Sequence, residues 1–192
     1  MRGLGRLVKR RRIKKVLFDN KVDMVFLQET KKSDINTEVV RSIWAGEMMD
    51  FMSVDSDGAA GGLLCVWNPE MFQIKDCRYT KNFILLAGTL YQSFGCVLVN
   101  VYGPNDVVKR RKVWDILLNI KSGFPNPWCL GGDFNDIRII SERQGYSRRD
   151  RGMREFNAMI DQLELVDLPM FGRKFTWSNS QGGERWSRLD SL

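Results

Sequence analysis

Residues 83–102 read FILLAGTLYQSFGCVLVNVY, two apolar runs, FILLAGTLY (83–91) and CVLVNVY (96–102), on either side of QSFG. Apolar runs of this length, rich in β-branched and aromatic side chains and joined by a short turn, predict an antiparallel hairpin. The hairpin decides the fold class because helical periodicity lies downstream of it and further strands lie upstream. Asp106 stands at a helix-cap position, and Trp114, Leu117 and Leu118 then share one face as far as about Lys121. A second amphipathic pattern runs from about Arg151 to Leu163, with Met153, Phe156, Ile160 and Leu163 inward. Upstream, VDMVFL (22–27) and LLCVW (63–67) read as short strands, GAAGG (58–62) as a loop, and residues 34–45 as a helix starting at Ser33 or Asp34. KFTWSN (174–179) and ERWSRLD (184–190) are strand-like. Strands intermixed with helices, with no repeat and no linker, predict one layered α/β domain over residues 1–192.

Bulk composition narrows the partners. The 192 residues are 43% hydrophobic, which suits a sizeable core and excludes a disordered chain. Lysine and arginine total 30 against 23 acidic residues, a net charge of +7, which favours polyanions: nucleic acid first, an acidic membrane surface second. Basic residues crowd into MRGLGRLVKRRRIKK (1–15), dense enough to resemble a nuclear-import or nucleic-acid patch. Ile13, Val16 and Leu17 keep helical spacing there, so the simpler reading is the solvated face of a helix packed on a core. No apolar run approaches the roughly 20 residues of a membrane span, and no signal-peptide core opens the chain. A soluble intracellular protein, nuclear or cytoplasmic and not secreted, is expected. Cys65, Cys77, Cys96 and Cys129 form no CxxC pair and the chain has no histidine, so a zinc site is not expected. They read as reduced core or near-core residues.

The polar residues at strand ends carry the chemistry. GGDFND (131–136) follows the apolar WCL and presents Asp133, Asn135 and Asp136 within four residues. A turn accounts for that composition. So does a catalytic loop, since paired glycines let a phosphate or metal approach the backbone. Glu29 follows VFLQ, Tyr102 ends VNVY, and Asp190 follows ERWSRL. Four strands ending in this way could converge on one rim.

Taken together, FLQET (26–30), VNVYGPN (99–105), GGDFND (131–136), FTWSN (175–179) and SRLD (187–190) resemble the endonuclease/exonuclease/phosphatase superfamily. Their order and wording are most similar to the endonuclease domain of plant LINE-type non-LTR retrotransposon proteins. The resemblance implies a four-layer α/β sandwich of two packed mixed sheets flanked by helices, hydrolysing DNA phosphodiesters with Mg²⁺ (Mn²⁺ in its place is possible). Glu29 resembles the metal-binding glutamate, suited to a hard dication that needs oxygen ligands. Asp133 resembles the residue that orients or deprotonates the attacking water, and Asn135 the amide that holds that water or a phosphate oxygen. Tyr102 resembles a tyrosine reaching the scissile phosphate, although packing alone also explains an aromatic there. Asp190 matches an aspartate that orients a catalytic histidine.

The departures from the family pattern set the expected activity. The family's first strand, with its asparagine, precedes the GLG turn, whereas this sequence starts at MRGLG. The family continues beyond RLD to an Asp-His pair, whereas this sequence stops at Leu192 and has no histidine. A partial domain, weakly active or inactive, is expected. The alternatives are a noncatalytic basic module that binds nucleic acid, using residues such as SRRDRGMR (147–154), and a relic without function. A monomer with no small-molecule cofactor and no membrane contact is expected.

Overall fold

The computed structural model describes residues 3–57, 60–143, 151–168, 177–178 and 186–187. The elements run α1 (Leu7–Asp19), β1 (Met24–Gln28), α2 (Thr37–Arg41), β2 (Asp50–Asp57), β3 (Ala60–Trp67), β4 (Phe72–Thr80), β5 (Phe83–Leu90), β6 (Phe94–Tyr102), α3 (Val107–Lys121), β7 (Trp128–Asp133), a 3₁₀ turn (Ile140–Glu142), α4 (Arg151–Gln162), β8 (Trp177–Ser178) and β9 (Trp186–Ser187). One sheet has the order β1-β3-β2, a second the order β4-β5-β6-β7, and β8 pairs with β9. Two packed sheets with helices make this an α/β sandwich. The three-stranded sheet is antiparallel throughout, with Phe26 and Met52 both opposite Cys65. The expected mixture of strand directions is therefore not found in it.

The chain forms two compact, interleaved units: Met1–Asn100 with Asn126–Trp128, and Val101–Pro125 with Cys129–Leu192. In the first, Leu63 to Val66 of β3 and Phe83 to Leu86 of β5 are buried without alternation. Unbroken burial means that both faces of these strands are covered. Leu64 and Val66 belong to a cluster with Leu4, Leu17, Ile35, Val40, Ile43 and Trp44, which is the helix side of β3. Leu63 and Cys65 alternate to the opposite face. There the Asn100 side chain from β6 meets Cys65 Sγ at 3.5 Å.

Asn100 is wholly buried. Its Nδ2 donates to Leu64 O at 3.2 Å and Leu27 O at 3.4 Å, and its Oδ1 accepts from Gln28 Nε2 at 2.6 Å. A buried amide satisfied in this way joins β6 to β1 and β3 in a fixed register. In the second unit α3 and α4 pack together around Trp114, Phe134 and Phe156, with ring centroids 5.2–6.1 Å apart. Asp106 caps α3 as expected, its Oδ1 accepting the Lys109 N–H at 2.8 Å.

Several expectations need correction. The helix expected over residues 34–45 shrinks to α2, capped by Asn36 Oδ1 on the Val39 N–H; Ile43 and Trp44 are buried beyond its end, where Trp44 Nε1 bonds Met48 O. β3 starts at Ala60 rather than Leu63, with Gly61 paired to Ser56, so the glycines at the end of GAAGG extend a strand. β2 and β4 escape the hydrophobic pattern, because their sequences DFMSVDSD and FQIKDCRYT are largely polar. Val16 is half exposed, leaving Leu17 and Ile13 as the inward side of α1. All four cysteines are free, but Cys129 is exposed, not part of a core.

Burial pushes the Cys65 thiol up to about 12, only partly opposed by the Asn100 hydrogen bond. The fold therefore holds the neutral thiol, and this stability is complete below an ordinary thiol pKa of 9.0 and lost as pH rises towards 12. Unfolding free energies from urea titrations at pH 8 to 11 should fall above pH 9, by up to roughly 1.4 kcal/mol per pH unit from this group. The same series with Cys65→Ala should be flatter over that interval, whatever its starting stability.

Candidate active site

Glu29 begins where β1 ends. Its carbonyl accepts the Gly3 N–H at 3.0 Å, the next carbonyl, of Thr30, accepts the Leu4 N–H at 2.9 Å, and the Thr30 and Lys31 N–H groups donate to Gly62 and Gly61. The segment is thus laced between the GLG turn and the start of β3. Glu29 holds φ +51, a left-handed conformation that costs a glutamate of order 1 kcal/mol or more and persists only when neighbours enforce it. Gly62 allows this packing, because a Cβ there would collide with Thr30 Oγ1.

In the second unit Tyr102 is the last residue of β6 and Asp133 the last of β7. Gly132, at φ +141, lies so close to Val101 O that no side chain fits. Beyond the strand ends the two loops are bonded to each other: the Gly103 N–H donates to Asp133 O at 2.7 Å, and Asn135 Nδ2 donates to Gly103 O at 2.6 Å. Asp133 Oδ1 accepts the Asn135 N–H at 3.0 Å, and Asn135 sits at φ +52. Tyr102, Asp133 and Asn135 are therefore brought together, all half-buried at the ends of neighbouring strands. The turn reading and the catalytic-loop reading of GGDFND are compatible, since this Asx turn also presents its side chains. One amide hydrogen of Asn135 is committed to Gly103, which leaves Oδ1 and the second hydrogen for a ligand. Glu29 belongs to the first unit, and Asp190 lies outside the described residues.

Sequence reasoning named Asp136 only as part of GGDFND and missed the arginine that, with it, holds these loops. Arg110 of α3 donates from Nε and Nη2 to Asp136 Oδ2 at 3.1 and 2.8 Å, with only 6% and 1% of the two side chains exposed. Its Nη1 reaches Pro104 O and Asn105 O at 2.8 and 3.1 Å, while Asp136 Oδ1 accepts the Ile137 N–H. One guanidinium thus holds the loop after β6 and the loop after β7. Gly152 of α4 closes over the pair, and a Cβ there would come within 2.5 Å of Asp136 Oδ2. The signal was present: Arg110 shares the helix face of Val113, Trp114 and Leu117, and an arginine on an apolar face needs an anion. Further on, Glu142 Oε2 accepts the Arg138 and Ile139 N–H groups, and Asn157 of α4 bonds the Arg138 carbonyl.

Among the described residues no three His, Cys, Asp or Glu side chains gather as a ready metal cage. Mg²⁺ does not require one, because it commonly keeps several waters and takes one or two carboxylates plus substrate phosphate oxygens. A half-buried glutamate on a rigid strand end fits that donor set.

The sequence matches the Endonuclease/Exonuclease/phosphatase family over residues 1–190. The chain belongs to this family. Among solved structures it is similar to the endonuclease domain of TRAS1, a telomere-specific non-LTR retrotransposon, with 14% identity, a TM-score of 0.66, and 95% of this chain and 80% of that one covered. It is also similar to the AP endonuclease LMAP from Leishmania major, at 13% identity and TM-score 0.69 over 98% of this chain and 75% of that one. For TDP2 from C. elegans the identity is 16% and the TM-score 0.59, over 96% of this chain and 58% of that one. These likenesses establish the fold. Comparison with curated protein sequences gives no match.

Removing one member of the Arg110–Asp136 pair should be far worse than removing both. Asp136→Leu leaves a buried, uncompensated guanidinium and should cost roughly 3–5 kcal/mol in urea unfolding. The double variant Arg110→Met/Asp136→Leu should recover a large part of that loss. Equal or greater loss in the double variant would show that the hydrogen bonds to Pro104, Asn105 and Ile137 outweigh the charge.

Proposed function

We propose that the protein is a divalent-metal-dependent phosphodiester hydrolase acting on DNA, of retroelement descent and similar to plant LINE-type endonucleases. The observation that carries this reading is the bonded loop pair that presents Tyr102, Asp133 and Asn135 together, within a chain of this family. The likeness to a retrotransposon endonuclease domain and the net charge of +7 support the origin and the substrate.

Glu29 would hold the metal, Mg²⁺ or Mn²⁺, which supplies charge neutralisation at the phosphate. Asp133 accepts the proton as water attacks phosphorus, and the ester oxygen on the opposite side leaves with the bonding electrons. Its own orientation is set by the Asn135 N–H on Oδ1. Asn135 Oδ1 and its second amide hydrogen suit a water or a nonbridging phosphate oxygen. The Tyr102 hydroxyl donates to the phosphate. Asp190 corresponds to the carboxylate that orients a histidine, and these 192 residues contain none for it to orient.

The 192 residues contain no histidine to meet charge developing on the phosphate oxygens. Loss of one aimed donor typically lowers a rate by about 10²–10³-fold, so a polypeptide of these residues should cut slowly. The test is nicking of supercoiled plasmid by this chain with Mg²⁺, with Mn²⁺, with EDTA and as Asp133→Ala. Slow nicking abolished by EDTA and by Asp133→Ala is expected, together with Mn²⁺ binding that disappears in Glu29→Gln. Nicking indifferent to both treatments, or Mn²⁺ binding unchanged in Glu29→Gln, would refute the assignment. Cleavage at the rate of a family endonuclease that carries the histidine would refute the slow rate alone.

A further inference from the structure

We propose that the outward face of α1 is a docking surface for the phosphate backbone of DNA, formed by Arg11, Arg12 and Lys15. The choice of nucleic acid rests on the hydrolase reading above; the surface itself is argued from α1. All three side chains are exposed, on the side of the helix away from buried Leu17. None of the three has a carboxylate partner among the described residues. Four arginines elsewhere are paired: Arg78 with Asp76, Arg111 with Asp115 and Glu155, Arg151 with Glu155, and Arg110 with Asp136. The neighbours Arg10 and Lys14 are engaged by Ser42 Oγ and the Arg41 carbonyl, which leaves the three outer cations as one patch.

The helix also lacks the usual electrostatic compensation. It has no side-chain cap at Arg6 and no acidic residue in its first turn, where Lys9 and Arg10 oppose the helix dipole instead. A helix that sets one carboxylate, Asp19 at its C-terminal end, against its row of cations gains from an external row of anions. Arg11 and Lys15 stand one turn apart, about 5–6 Å between Cβ atoms, a spacing their long side chains can fit to successive phosphates. A bilayer surface suits α1 less well. Its exposed apolar residues lie at the two ends of the helix, Leu7 and Val8 at one and Val16 and Phe18 at the other, whereas a helix lying in a membrane needs a continuous apolar face.

The test compares the full chain with Arg11→Gln/Arg12→Gln/Lys15→Gln, and with a control in which Lys75 and Lys81, on and just after β4, become Gln. Binding to duplex DNA is measured against salt in the presence of EDTA, alongside binding to vesicles of phosphatidylserine and phosphatidylcholine. Each lost phosphate contact removes about 0.9 from the slope of log K against log salt, so the triple variant should lose roughly 2–3 and the control less than 1. Arg11→Lys/Arg12→Lys should keep the full slope. Mn²⁺ binding at Glu29 should be unchanged in the triple variant. A wild-type slope in the triple variant would overturn the α1 surface and leave the hydrolase reading standing. No DNA binding by the wild-type chain at 50 mM salt would count against both readings. Loss of vesicle binding with DNA binding intact would overturn the proposal in favour of a membrane surface.

Discussion

A guanidinium and a carboxylate taken out of water together set the conditions for the second unit. Arg110 and Asp136 are almost wholly buried, and each alone would carry a desolvation penalty of several kcal/mol. What makes the pair tolerable is that its remaining hydrogen-bonding groups are used as well, on Pro104, Asn105 and Ile137. That requirement fixes where the chain runs after β6 and after β7. The positions of Tyr102, Asp133 and Asn135 then follow from hydrogen bonds between those two loops. A core of hydrocarbon alone would hold α3 against α4 equally well. It would not dictate the path of two polar loops.

The first unit uses an uncharged version of the same device. Asn100 sits among valines in β6 and spends both ends of its amide on β1 and β3. With Gln28 engaged by Asn100, the residue before Glu29 is held from its side chain while Glu29 and Thr30 are held from their backbones. Both candidate residues at φ near +50, Glu29 and Asn135, stand in such over-determined segments. Asparagine adopts this conformation readily; glutamate does not, so the strain at Glu29 is sustained by the strands around it.

What the sequence disclosed follows from which forces act locally. The β5–β6 hairpin, α3 with its Asp106 cap, and the apolar face of α4 were legible because strand length, capping and 3.6-residue periodicity are written in consecutive residues. β2 and β4 were not, since a strand that borrows its stability from a neighbour's hydrogen bonds can keep polar side chains. Residues 34–45 look helical by spacing, yet Ile43 and Trp44 go to the core by leaving the helix. At the site, Glu29, Tyr102, Asp133 and Asn135 were picked out by their places after apolar runs and by motif resemblance. Asp136 was named with its loop but given no role, and Arg110 was passed over, because a partnership across 26 positions leaves no periodic trace. Only the oddity of an arginine beside Val113 and Trp114 hinted at it.

The way the two units share the chain bears on how the protein is made. Residues 126–128 belong to the first unit, where the Pro127 carbonyl accepts the Val97 N–H at 2.9 Å, although the intervening residues 101–125 belong to the second. During synthesis the amino-terminal unit therefore remains incomplete after its first hundred residues have left the ribosome. It waits for a further stretch that includes all of α3, a delay of roughly one to several seconds at typical elongation rates. Through that interval β6 lacks its neighbour β7 and offers an open edge to other chains. Translation speed across α3 therefore sets how long that edge stays open.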